Sequence, residues 1–207
     1  MNATTACQEP TVRIETVPFD RTRKISLILL IVVVGQARGG TLSAEQRDAM
    51  EVALRYFDEA EPKHTADEEQ SLFPRLRASR HPRVPEALTL VDGLAHDHEV
   101  ARAHHARVGI LAHRWLADGR LPTDAATELV ERLDALAALY RTHIPVEDGE
   151  LIPLARTILD AADIAAFGRE MAARRGVDTT RLPQRTAAAA GKSGRQHTER
   201  QPTGSSR

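Results

Sequence analysis

Apolar residues recur along the middle of the chain at spacings of three and four, with charged residues between them. In "AEQRDAMEVALRYFDEAE" the apolar positions Met50, Leu54 and Phe57 fall on one face, the period of an amphipathic helix. Ser43, just ahead of it, is a candidate N-cap whose hydroxyl can accept from a free backbone N–H of the first turn. Pro62 interrupts this second helix. A proline is tolerated in a first helical turn, so a new segment is expected to start there and run to about Arg77. Beyond the breaker "HPRVP" (His81 to Pro85), a third helix over about 85–117 sets Val91, Leu94, His98, Ala101, His105, Val108 and Trp115 along one face. "ADGRLPTD" turns the chain, a fourth helix follows over about 123–158, and a short fifth stops near Gly176.

The first helix, roughly 19–37, has a different pattern. Its run "ISLILLIVVV" is apolar on every side, and "ARGG" supplies two glycines as a stop. With "RTRK" ahead of it and Gly35-Gln36-Ala37 behind, the segment imitates a signal peptide. The run is too short for a bilayer, which takes about 20 apolar residues. Cleavage would also remove a helix needed to close a core, so we read it as part of the fold. Residues 1–17 have no periodicity and read as a tail; residues 177–207 are polar, basic and rich in Gly, Ser and Thr, and read as a disordered tail. The folded domain is expected over 18–176.

Four long helices joined by short polar breaks predict an all-α fold, an antiparallel up-down four-helix bundle with a short fifth helix. Composition adds little to this. The formal net charge of −1 gives no reason to expect nucleic acid as a partner. The lone Cys7 excludes an intrachain disulfide and a thiolate metal site. A cytoplasmic protein with no membrane partner is the resulting expectation.

One pattern carries chemistry. "HTADEEQSLFPRLR", beginning at His64, returns as "HIPVEDGELIPLAR", beginning at His143, and both read His-x3-Glu-x3-Leu-x-Pro. Residues four apart on a helix project from one face, one turn apart. Phe57 precedes His64 and Tyr140 precedes His143 on the same faces, so the polar pairs fall on the stripe expected to point inward. Buried His and Glu without partners cost several kcal/mol. A divalent ion would remove that cost: imidazole nitrogen with carboxylate oxygen suits iron, manganese or zinc, and a carboxylate can bridge two ions. The competing reading is a solvated pair on a helix surface, with Leu and Pro merely closing the helix end. Two copies sharing His, Glu, Leu, Pro and a following Arg (Arg77, Arg156) favour the metal.

These segments resemble the second- and fourth-helix motifs of the hemerythrin-like, or HHE cation-binding, family, and "DGLAHDHEVARAHHARV" (Asp92 to Val108) resembles its third. The resemblance spans about 20–175. It implies a four-helix bundle holding a non-heme diiron centre with His and carboxylate ligands. Carried onto this sequence it implies His64, Glu68, His143 and Glu147 as ligands, with the carboxylates as candidate bridges and His98 as the ligand from the third helix. His105, two turns further along, is given a supporting or neighbouring-ion role. His96 and His104 point off the face and are expected at the surface; His81 and His113 have no matching partner, and His197 lies in the tail.

The sequence also departs from that pattern. Where the first helix of such proteins carries a His followed by a Glu, "RTRKIS" offers Thr22 and Ser26. Arg102 stands four residues after His98, where its charge would oppose a cation. Pro145 lies between His143 and Glu147 and removes a helix hydrogen bond. One ion, an asymmetric pair or a vestigial site all stay open. The resemblance implies a protein that binds or senses O2, NO or peroxide, or buffers iron. A diiron oxidase or peroxidase, or a structural bundle with a degenerate site, are the alternatives.

Overall fold

Each amphipathic stretch becomes a helical rod in the computed structural model, which describes residues 19–178. The expected tail over 1–17, and all but the first two residues of the tail expected over 177–207, lie outside the described residues. Helix α1 spans Phe19–Ala37. It stops where Arg38 (φ 47°) and Gly39 (φ 80°) turn left-handed. A Cβ on Gly39 would sit 2.6 Å from the Leu121 carbonyl oxygen, so only glycine fits. Gly39 O in turn accepts from Leu121 N at 2.8 Å, and Trp115 Nε1 donates to Gly40 O at 2.8 Å. Two loops at one end of the bundle are thereby tied together.

The second rod begins at α2 (Ala44–Arg55) with the expected Ser43 cap, completed into a capping box by Gln46. It does not break at Pro62. Instead the rod runs on through a π-helical turn (Tyr56–Ala60), α3 (Glu61–Asp67), a second π turn (Glu68–Leu72) and α4 (Phe73–Ala78). Helix α5 (Val84–Asp118) ends at left-handed Gly119, and α6 (Thr123–Val146) continues straight through Pro145 into a third π turn (Glu147–Leu151) and α7 (Ile152–Ile158). Helix α8 (Ala161–Arg174) closes the described chain.

Each π turn is followed at its second position by a proline: Pro62, Pro74 and Pro153. A proline ring clashes with the carbonyl four residues back and has no N–H to offer it. Widening the preceding turn resolves this. The residue before each proline bonds five back instead: Glu61 N to Tyr56 O, Phe73 N to Glu68 O and Ile152 N to Glu147 O. In both His-x3-Glu copies the π turn therefore starts at the Glu.

The rods pack in a ring: α1 against α2 and α6, and α5 against α6 and the α2–α4 rod. That is the expected up-down bundle. Helix α1 enters the core with Leu27, Leu30, Val33 and Val34, as the reading of it as a structural helix requires. No helix among the described residues is long and apolar enough to cross a membrane. Helix α8 lies across α3 and the second π turn, held by Arg75 on Glu170 and by Arg174 and Arg175 on Asp67.

The apolar core is split into two blocks. One contains Leu30, Met50, Leu54, Trp115 and Leu136; the other contains Leu72, Phe73, Val91, Leu94 and Leu151. Burying each such side chain contributes roughly 1.5–3 kcal/mol. Between the blocks, every rod presents polar residues to the interior: Arg23 and Ser26, Glu68, His98, and His143 with Glu147 are all buried.

Candidate metal centre

The polar layer arises because the buried stripe of each rod changes character at one level. On α5, His98 sits between Leu94 of one block and Ala101 of the other; on the fourth rod, Glu147 sits between Ile144 and Leu151. The structure brings His64, Glu68, His98, His143 and Glu147 together there. Glu68, His98 and His143 each offer a ligand atom within 4.8 Å of the other two, and so do His64, Glu68 and Glu147. Glu68 belongs to both groups.

In the first group all three residues are buried, Glu68 to 3% and His143 to 1% exposure. His98 Nε2 lies 3.1 Å from Glu68 Oε2, and the rings of His98 and His143 are 5.1 Å apart. Yet His98 Nε2, His143 Nε2 and Glu68 Oε2 are all buried without a hydrogen-bond partner among the described residues. The outer nitrogens, by contrast, are held. His98 Nδ1 donates to Glu69 Oε1 at 3.1 Å, and His143 Nδ1 donates to Asp97 Oδ2 at 3.2 Å. With a carboxylate accepting at Nδ1, each Nε2 is left with its lone pair facing inward, the tautomer a metal requires.

Burial lowers the pKa of His98, and burial together with His98 lowers that of His143, so both imidazoles stay neutral. Burial and the neighbouring Glu147 push Glu68 well above the usual carboxylate range. In the second group, His64 Nε2 lies 3.5 Å from Glu68 Oε1 and 3.4 Å from Glu147 Oε1. Burial opposes a proton on His64, but the two carboxylates outweigh it and its pKa is raised. Burial also opposes the charge on Glu147; hydrogen bonding and attraction from His64, with Arg23 adding to them, hold its pKa below the usual range.

The donor set fits a cation: imidazole and carboxylate, buried and convergent, with His98 Nε2, His143 Nε2 and Glu68 Oε2 lacking hydrogen bonds among the described residues. Among known families, the Hemerythrin HHE cation binding domain matches residues 29–155. The chain belongs to this family. An uncharacterized protein of Haemophilus influenzae is also similar to it, 30% identical over 128 residues, which is 62% of this chain and 69% of that protein.

Four residues singled out in the sequence take the following positions. Thr22 does not occupy the first-rod position: it is exposed, and its neighbour Arg23 points inward, 2% exposed, with Ser26 buried one turn on. Arg23 Nη1 lies 3.7 Å from Glu147 Oε2, and its guanidinium sits 5.0 Å over the Tyr140 ring. Arg102 does not oppose the centre, because it is 61% exposed and turns outward to pair with Glu69 at 3.3 Å. His105 joins neither donor group. Its Nε2 meets Tyr140 Oη at 2.6 Å, its ring packs 4.6 Å from Phe57, and burial pushes its pKa down to about 4. His104, expected at the surface, is half-buried.

His96 is exposed, and His113 is exposed and paired with Asp58 at 3.0 Å; His197 lies outside the described residues. Glu69, Asp97 and Arg23 went unread in the sequence. The first two stand directly beside Glu68 and His98, and adjacency to a ligand was their only signal.

Proposed function

We propose that His64, Glu68, His98, His143 and Glu147 form a layer that binds a first-row divalent ion, non-heme iron, and that the protein uses it to bind or sense O2, NO or peroxide. The observation that carries this reading is the trio His98 Nε2, His143 Nε2 and Glu68 Oε2: buried, convergent, and without hydrogen bonds while both outer nitrogens are anchored. An apolar layer would be cheaper than such a trio in a bundle that held no cation. Iron, when bound, would supply an open coordination position for a small ligand.

The chain's own residues supply the surroundings. Phe73 stacks at 6.1 Å on His98, and Tyr140 lies 6.2 Å from His143, so aromatic rings flank the donors. A cleft of about 360 Å3 between α3 and α5 is lined by Glu61, Thr65, Glu69, His98 and Arg102 and so borders His98, with more volume than a diatomic ligand needs. We also propose a cytoplasmic setting, in keeping with a lone Cys7 that can form no intrachain disulfide.

The test is the metal content of protein purified from iron-supplemented cells, with absorption recorded with and without O2. His143→Ala should lose most of the metal and His197→Ala none. Metal at background in the wild type would overturn the reading. Peroxide turnover by the loaded protein separates an enzyme from a sensor.

A further inference from the structure

The two donor groups are not equivalent. Around Glu68, His98 and His143 the outer imidazole nitrogens are held by carboxylates, Glu69 and Asp97, which orient the ligands and add negative charge. Around His64, Glu68 and Glu147 there is already a cation. Arg23 is 2% exposed, faces Glu147 Oε2 at 3.7 Å and lies over Tyr140. A guanidinium does not give up its proton in a protein. Nor does this one have room to withdraw. Tyr140 beneath it is fixed by His105, and α1 continues from Arg23 into the buried Ser26, Leu27 and Leu30. The first rod thus contributes a permanent positive charge at the level where the other three contribute ligands.

Resting on the metal-binding reading above, we propose that the centre holds one ion, on Glu68, His98 and His143, and that the Arg23 guanidinium takes the place of a second ion against Glu147. Glu147 is then the counter-charge of Arg23 rather than a ligand. His64 lies between Glu68 and Glu147, its Nε2 3.5 Å from one and 3.4 Å from the other, as a neighbour of both. Three protein ligands leave coordination positions open on the single ion, and the layer keeps one ionised carboxylate balanced without any second metal.

Titration of the metal-free full chain with Co2+ or Mn2+, read by visible absorption and by electron paramagnetic resonance, tests this. The wild type should saturate at one equivalent, and Mn2+ should give the six-line spectrum of an isolated ion. Arg23→Met, or Arg23→His if the first does not give a native circular dichroism spectrum, should take up a second equivalent with the broadened spectrum of a coupled pair. Arg23→Lys, which keeps the charge, should stay at one. Glu147→Gln should retain the single equivalent, whereas Glu68→Gln should lose it. Two equivalents in the wild type would overturn this proposal and leave metal binding intact. No uptake at all would overturn both. A folded Arg23→Met or Arg23→His that stays at one would show that the guanidinium is not what excludes the second ion.

Discussion

Asp97 Oδ2 on α5 lies 3.2 Å from Nδ1 of His143 on α6, so a carboxylate on one rod fixes the ring of a candidate ligand on another. The Nδ1 proton is held outward and Nε2 is presented to the layer. Asp97→Asn weakens that hold while changing little in size. Metal affinity should fall by about 10–100-fold, the usual cost of losing such an orienting carboxylate. Competition against a chelator of known affinity reads the change, and an affinity within about twofold of wild type would refute the role.

Affinity should also fall as pH falls, and within the group of Glu68, His98 and His143 the residue responsible is Glu68 rather than either histidine. The lowered pKa values of His98 and His143 keep both imidazoles neutral below the ordinary histidine range, so they impose no competition near neutrality. Glu68, raised by burial and Glu147, keeps its proton to higher pH than an ordinary carboxylate, and that proton must leave as metal arrives. The bound state carries fewer protons, so affinity rises as pH rises. Calorimetric titrations at pH 7 in buffers of different ionisation enthalpy should show heats that scale with the buffer. Identical heats would show that no proton is released.

Stability should depend on Asp67, next to Glu68 but facing away from it. Asp67 is 1% exposed and accepts from Arg174 at 2.8 Å and Arg175 at 2.6 Å, docking the end of α8 onto the ligand rod. Asp67→Ala removes two charge-assisted bonds, an expected loss of about 2–3 kcal/mol, visible as a lower Tm. A second tie is set by Arg75, whose hydrogen bonds, with one from Ser71 adding, hold Glu170 down to about 2. Because the folded pKa is depressed, this contribution is complete above the unfolded carboxylate range and disappears as pH falls toward 2. Glu170→Gln should flatten the acid limb of the stability profile between those limits.

Much of this was legible in the residues. The buried face of α5 was read correctly from spacing alone, because polar and apolar positions alternate there with a clear helical phase; of the positions read, only His105 is less than fully buried. The His-x3-Glu repeat marked the level of the polar layer. On α1 Ser26 faces inward but Arg23, not Thr22, is the buried residue one turn before it, and the cause of missing it is physical: a run apolar on all sides has no face to count from. Ile25, Ile28 and Val32 are in fact 46–57% exposed, so hydrophobicity there did not report burial. The break expected at Pro62 turned into a π turn because a proline's clash can be relieved by widening the turn before it as well as by ending the helix. Nor could spacing along single helices foresee Glu69 on His98 or Asp97 on His143, since both bonds cross from one rod to another.

The division of the core has a consequence for how the molecule opens. Two greasy plugs, one around Trp115 and one around Phe73, are stacked with an ionic washer between them. Without a cation this washer adds little cohesion, and each plug should loosen on its own schedule. Amide hydrogen exchange of the metal-free chain should accordingly resolve two cooperative units, with α1 and the middle of α6 in one and α4, α7 and the start of α5 in the other. Loading the metal should fuse them into a single unit, making the ion a rivet between two halves as well as a chemical centre.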